Sequence, residues 1–162
     1  MKKSTWLFAF IFIFIAFGCQ SKKEKPEKVT YGRAQQQVQP NQPVTSEIAI
    51  DFTNKGIGPV KSHTLTPIDP TLVKKGKEVF KIKCTACHKM EKKFIGPALK
   101  GLLERRSPEW ALNMMMNPEE MTQKDPIAKQ LFVQYNGSPM ANQDVSLEEA
   151  TALLNYIRSF NP

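Results

Sequence analysis

Five consecutive residues hold groups that could do chemistry together: Cys84, Thr85, Ala86, Cys87 and His88. Two thiols separated by two residues on a helical turn fall along one edge of a planar ring, and the side chain that follows projects beneath its centre. This spacing suits thioether bonds to both vinyl groups of one porphyrin, with the imidazole on the iron. A thioredoxin-like redox pair would want a βαβ setting, and a structural zinc site would want a fourth ligand at compatible spacing. The sequence offers neither. One covalent haem c is therefore the expected cofactor, attached through Cys84 and Cys87 and ligated by His88.

The other axial position has fewer constraints. His63 is the only other histidine and sits in a polar tract, where a solvated side chain is the expectation. Of seven methionines, Met90 lies too close to His88 to swing across a ring, and Met1 falls in the leader. Met114, Met115 and Met116 form a run that fits core filling on a helix. Met121 and Met140 remain, the latter in the polar stretch Ser138-Pro139-Met140-Ala141-Asn142-Gln143.

Helices must position these groups. Asp69 followed by Pro70 reads as a cap and first turn, and Leu72, Gly76, Val79, Phe80 and Lys83 then share one face leading into Cys84. Ser107 with Pro108 and Asp125 with Pro126 repeat the signal, the second segment ending at Gly137. Ser146 and Glu149 form a capping box before a stripe of Ala150, Leu153, Leu154, Ile157 and Phe160, with Val145 placed to staple onto Ala150. No convincing strand alternation appears after residue 67, so an all-α domain over 67–162 is expected.

The first 18 residues have the outline of a signal peptide: Lys2 and Lys3, an apolar run from Trp6 to Phe17, then Gly18. Ala16-Phe17-Gly18-Cys19 resembles the lipobox of bacterial lipoproteins, which implies lipid on Cys19; an ordinary secretory signal or an uncleaved anchor is the competing reading. Both send the chain out of the cytoplasm, and lipid would hold it on the periplasmic side of a bacterial membrane. Residues 19–66, rich in Lys, Glu, Gln, Pro, Thr and Asn, read as a disordered tether, the competing reading being a partly ordered extension wrapped on the domain, as Gly56-Ile57-Gly58-Pro59-Val60 could pack. A coil of that length spans roughly 35 to 40 Å on average. With lipid on one cysteine and haem on two, the odd count of three needs no disulfide.

From Pro67 onward the chain resembles the monohaem class I c-type cytochromes. The resemblance rests on the C-x-x-C-H string, on Gly76 and Phe80 facing a C-terminal Tyr156, and on Gly96-Pro97-Ala98-Leu99-Lys100-Gly101, which is similar to that family's G-P-x-L-x-G turn. It implies helices wrapped around one haem, with the Pro97 carbonyl accepting the proton-bearing nitrogen of His88 and Met140 as sixth ligand. It also implies a carrier of single electrons, not an enzyme, because His/Met iron has no open position. If Met140 does not ligate, a five-coordinate haem sensor or peroxidase-like enzyme is the alternative. The stretches from Asn117 to Met121 and from Lys124 to Lys129 resemble monohaem cytochromes that accompany nitrous-oxide reductase.

Charge gives the carrier a direction. The chain has a formal net charge of +8 and a pI near 9.4, but the excess is concentrated between Leu72 and Arg106, where eleven basic residues face three acidic ones. From Ser107 onward three basic residues face seven acidic ones. Such a dipole would steer an acidic docking surface toward the haem segment. The expected partners are a respiratory reductase, an oxidase or a quinol-oxidising complex, met by a monomer tied to the membrane by its lipid. Export and the lack of a recognised binding motif argue against nucleic acid.

Overall fold

The computed structural model describes residues 48–161. The leader, Cys19 and the first part of the expected tether lie outside the described residues. Among the described residues five α-helices follow one another: α1 Pro70–Lys83, α2 Pro108–Met116, α3 Pro118–Lys124, α4 Pro126–Gln134 and α5 Leu147–Arg158, with a 3-10 turn at Leu102–Glu104 between α1 and α2. Among the described residues there is no strand, only an isolated parallel bridge between Asp51 and Arg106. None of the described helices is long and apolar enough to cross a membrane.

The helix starts are set by the local chemistry of their caps. Asp69 accepts from the Thr71 N–H, Ser107 from Trp110 and Asp125 from Ala128, in each case with proline in the first turn, where its missing donor costs nothing. Ser146 and Glu149 close the capping box on α5, and Val145 just ahead of it is buried with Ala150. The helix α3, opened by Pro118 directly after α2, was not expected.

The pair α1 and α5 forms the framework. A Cβ on Gly76 would come within 2.1 Å of the Ala152 carbonyl oxygen, so only glycine lets the two backbones cross at this distance. Above that crossing the Phe80 and Tyr156 rings are 5.6 Å apart between centroids. Tyr156 and Phe160 meet edge-on at 5.2 Å. The main core gathers Phe80, Leu112, Leu153, Leu154 and Ile157, and a second, smaller one gathers Trp110, Met121, Ile127 and Ala128.

The packed chain begins earlier than the expected boundary at residue 67. Residues 48–66, read as the end of a tether, lie as a strap along the second core and α2. Asn113, fully buried, accepts from the Val60 N–H at 2.9 Å and donates to the carbonyls of Val60 and Lys55, each at 2.9 Å. The Ser107 hydroxyl donates to the Asn54 carbonyl, and the Asn54 amide donates to Asp125 at 2.7 Å. Further on, Glu109 accepts from the His63 N–H and Arg158 donates to the Thr66 carbonyl. A polar segment can be ordered this way because its backbone groups are satisfied by side chains of the domain, with Val60 as its one buried apolar residue.

Candidate haem-binding site

The α1 helix ends on Cys84, whose N–H donates to the Phe80 carbonyl, and the chain continues in tight turns: the N–H groups of Cys87 and His88 both donate to the Cys84 carbonyl, at 3.1 and 2.9 Å. The two cysteines and the histidine are thus held on one continuous coil. Neither Cys84 nor Cys87 is in a disulfide. Burial pushes the free Cys84 thiol up to about 11.

The segment after His88 folds back onto it. Gly96 donates to the Cys87 carbonyl at 2.8 Å, while Leu99 and Lys100 donate to the Met90 carbonyl at 3.1 and 2.8 Å. This brings Pro97 over the imidazole, and His88 Nδ1–H donates to the Pro97 carbonyl at 3.0 Å. A Cβ on Gly96 would lie 2.5 Å from His88 Cε1, so the ring is pressed against bare backbone. With Nδ1 occupied, Nε2 is the nitrogen left for a metal. Burial lowers the imidazole's proton affinity, opposed in part by the Pro97 bond; burial thus favours the neutral ring, and the bond keeps its proton on Nδ1 and leaves Nε2 free.

His88, Cys84, Cys87, Pro97 and Met140 all line one cleft whose walls are predominantly apolar. Its long apolar lining suits a flat hydrophobic macrocycle, and the unpaired thiols at its edge with a single available imidazole nitrogen suit covalent attachment and ligation. The residues present fit haem c.

Met140 comes from the connection between α4 and α5. Residues 136–139 and 141–144 are exposed, and Met140 alone in that run is half-buried, against the cleft. Met121 stands elsewhere. It is fully buried in the second core, where its sulfur accepts the Ile57 N–H at 2.9 Å, and it does not line the cleft. Among the methionines expected to fill core, Met115 does so, yet Met114 and Met115 also reach the cleft wall from α2. His63 engages Glu109 through its backbone and takes no part in the cleft.

Two cleft residues were not anticipated in their roles. Arg106, counted among the basic residues of the docking field, is only 5% exposed, and it lines the cleft beside Trp110. Its Nη1 donates to the carbonyls of Ala49 at 2.8 Å and Arg105 at 2.6 Å, and its guanidinium sits 5.5 Å from the centre of the Trp110 ring. The Trp110 indole N–H donates to buried Asp125 at 3.1 Å. A run of two arginines gives no local sign of which one is buried.

The cytochrome c family model matches residues 73–161. No curated protein matches the chain. Among solved structures, the cytochrome c from Rhodothermus marinus is 42% identical over 64% of this chain and 89% of its own, with a TM-score of 0.61. An engineered cytochrome c from the same organism is 41% identical over 64% of this chain and 90% of its own, with a TM-score of 0.60. An engineered form bound to a carbene intermediate is 41% identical over 64% and 89%, with a TM-score of 0.58. The family match spans more than half of the sequence and encloses the thiol pair and His88, so this chain belongs to the cytochrome c family, haem-based electron carriers that bind covalent haem c.

Proposed function

We propose that this protein carries single electrons between respiratory partners through a haem ligated by His88 and Met140, while held on the periplasmic side of a bacterial membrane by lipid on Cys19. The observation that carries the ligand assignment is the burial pattern of the α4–α5 connection: Ser138, Pro139, Met140, Ala141 and Gln143 all border the cleft, and Met140 alone among them is half-buried. The bound haem supplies an iron that gains and loses one electron. The chain's residues decide how easily. A neutral, polarizable thioether favours ferrous over ferric iron, and the apolar walls, which exclude water, do the same. Filling both axial positions leaves no site for oxygen or peroxide, which is why the residues favour carriage over catalysis.

Docking would use the face around the haem segment. Phe94 and Ile95 are about half exposed there and Ile82 more so. Basic side chains lie in the same segment: Lys89 Nζ is 4.9 Å from the centre of the Phe94 ring, and Lys93 Nζ is 4.5 Å from that of Tyr135 at the cleft. Exposed apolar side chains in a lysine-rich segment suit a transient partner with an acidic surface, because charge speeds encounter while exposed lysines add little to lifetime.

A redox titration with carbon monoxide present and absent tests the reading. The expected result is a one-electron transition in the range of a respiratory couple, with the ferrous protein taking up carbon monoxide slowly and incompletely. Fast, complete uptake together with peroxide turnover would support the five-coordinate sensor or peroxidase reading instead.

A further inference from the structure

A buried arginine is costly unless its charge is compensated. Arg106 has no carboxylate within salt-bridge distance among the described residues, and Asp125 and Asp51, which act on its charge from further off, spend their hydrogen bonds elsewhere. Its fixed partners are two neutral carbonyls, and one of them, Ala49, belongs to the strap. The strap returns the contact through the Asp51 N–H, which donates to the Arg105 carbonyl at 3.4 Å. A turn held by Asp51, whose carboxylate accepts from Thr53 and Asn54, leads the chain from this point onto Asn54 and its bond to Asp125.

We propose that the strap is a regulator of the haem's reduction potential, acting by holding the Arg106 cation dry and fixed in the cleft wall. A positive charge near the iron disfavours the additional positive charge of the ferric state, and it does so more strongly in a dry, low-dielectric wall than in water. Lifting residues 48–54 would remove the Ala49 carbonyl from the guanidinium and open it to solvent, screening its charge and lowering the potential. Residues 48–51 continue directly from the N-terminal part of the chain, so whatever engages that part can act on the iron through the strap. The inference rests on the covalent haem but not on the identity of the sixth ligand.

The test is a double-mutant cycle on the full-length holoprotein, read by midpoint potential. Arg106→Gln should lower the midpoint, and Arg106→Lys should recover part of the loss. Two neutral strap variants, Asn54→Ala and Thr53→Pro, should each speed amide exchange at Asp51 and lower the midpoint by a smaller amount. In the Arg106→Gln background neither should lower it further. The inference is overturned if Arg106→Gln leaves the midpoint unchanged, if the strap variants shift it equally in both backgrounds, or if they loosen Asp51 without moving it. It is equally overturned if neither strap variant loosens Asp51, because the named anchors would then not be what holds the strap. A colourless product from every variant and the parent would instead condemn the haem assignment itself.

Discussion

The two sides of the cleft are built to different standards. On the histidine side, His88 is held at its backbone by Cys84, at its ring by Pro97 and along its face by Gly96, and the segment that brings Pro97 there is tied back at Cys87, Lys89 and Met90. On the methionine side, the connection from Asn136 to Val145 has almost no backbone ladder. Asp144 sits in the left-handed region at φ 49°, the Asn142 side chain accepts from the Asp144 N–H within the same loop, and the anchors are burial of Val145 and the bond from Lys83 to the Asp144 carbonyl at 3.3 Å. A ligand held from three directions cannot easily be exchanged, whereas one carried on a loop fixed near its end can be. The difference locates adaptability in the sixth position, and it can be attacked from both sides.

The largest effect is expected on the rigid side. Gly96→Ala would drive a methyl into His88, and since the ring cannot turn away without losing Pro97, overpacking should cost about 3 kcal/mol or more. Denaturant unfolding of the holoprotein checks this; a loss below about 1 kcal/mol would mean the histidine side is softer than described.

On the loop side the expected effects are smaller. Lys83, which ends α1 beside Cys84, also pairs with Glu149 at 3.0 Å and so ties the attachment segment to the loop. Lys83→Ala should make loop opening about 1 kcal/mol easier, or roughly fivefold. The rate at which imidazole enters the ferric protein measures that opening, and an unchanged rate would leave Val145 as the only anchor that matters.

The smallest expected effect is set by pH. The Ser146 N–H, followed by Lys83, holds the Glu149 carboxyl below the ordinary glutamate value of 4.5. A carboxyl whose pKa is depressed on folding contributes stability that is fully present above its unfolded value and is lost as pH falls through the folded one. Melting curves should therefore show Glu149→Gln less stable than the parent at neutral pH, with the gap closing as the pH falls below the ordinary glutamate value and through the depressed one. A gap that stays constant into acid would mean the carboxylate charge is not what holds the cap.

Much of the histidine side was legible because its determinants are local. The thiol pair and its adjacent imidazole, the Gly-Pro turn and the four cap signals at Asp69, Ser107, Asp125 and Ser146 each lie within a few residues of what they control. Of the strap only Gly56 to Val60 was legible, as a competing reading of the tether; the rest was not, because its order comes from Asn113, Ser107 and Asp125, tens of residues away, and polar bonds of that kind leave no periodicity in either partner. For the same reason Arg106 passed for a surface charge. Its burial depends on Ala49 and Trp110 closing over it, whereas its neighbour Arg105 looks identical in sequence and is only half-buried. Met121 was a reasonable candidate by type alone, and only the fold shows its sulfur turned toward Ile57.

The central claim is that the haem is six-coordinate with Met140 opposite His88, and the far-red methionine-to-iron absorption band of the oxidised protein addresses it most directly. The account predicts a band in the parent, retention of that band in Met121→Ala and its disappearance in Met140→Ala. A parent without the band, or a band that survives loss of Met140, would contradict it.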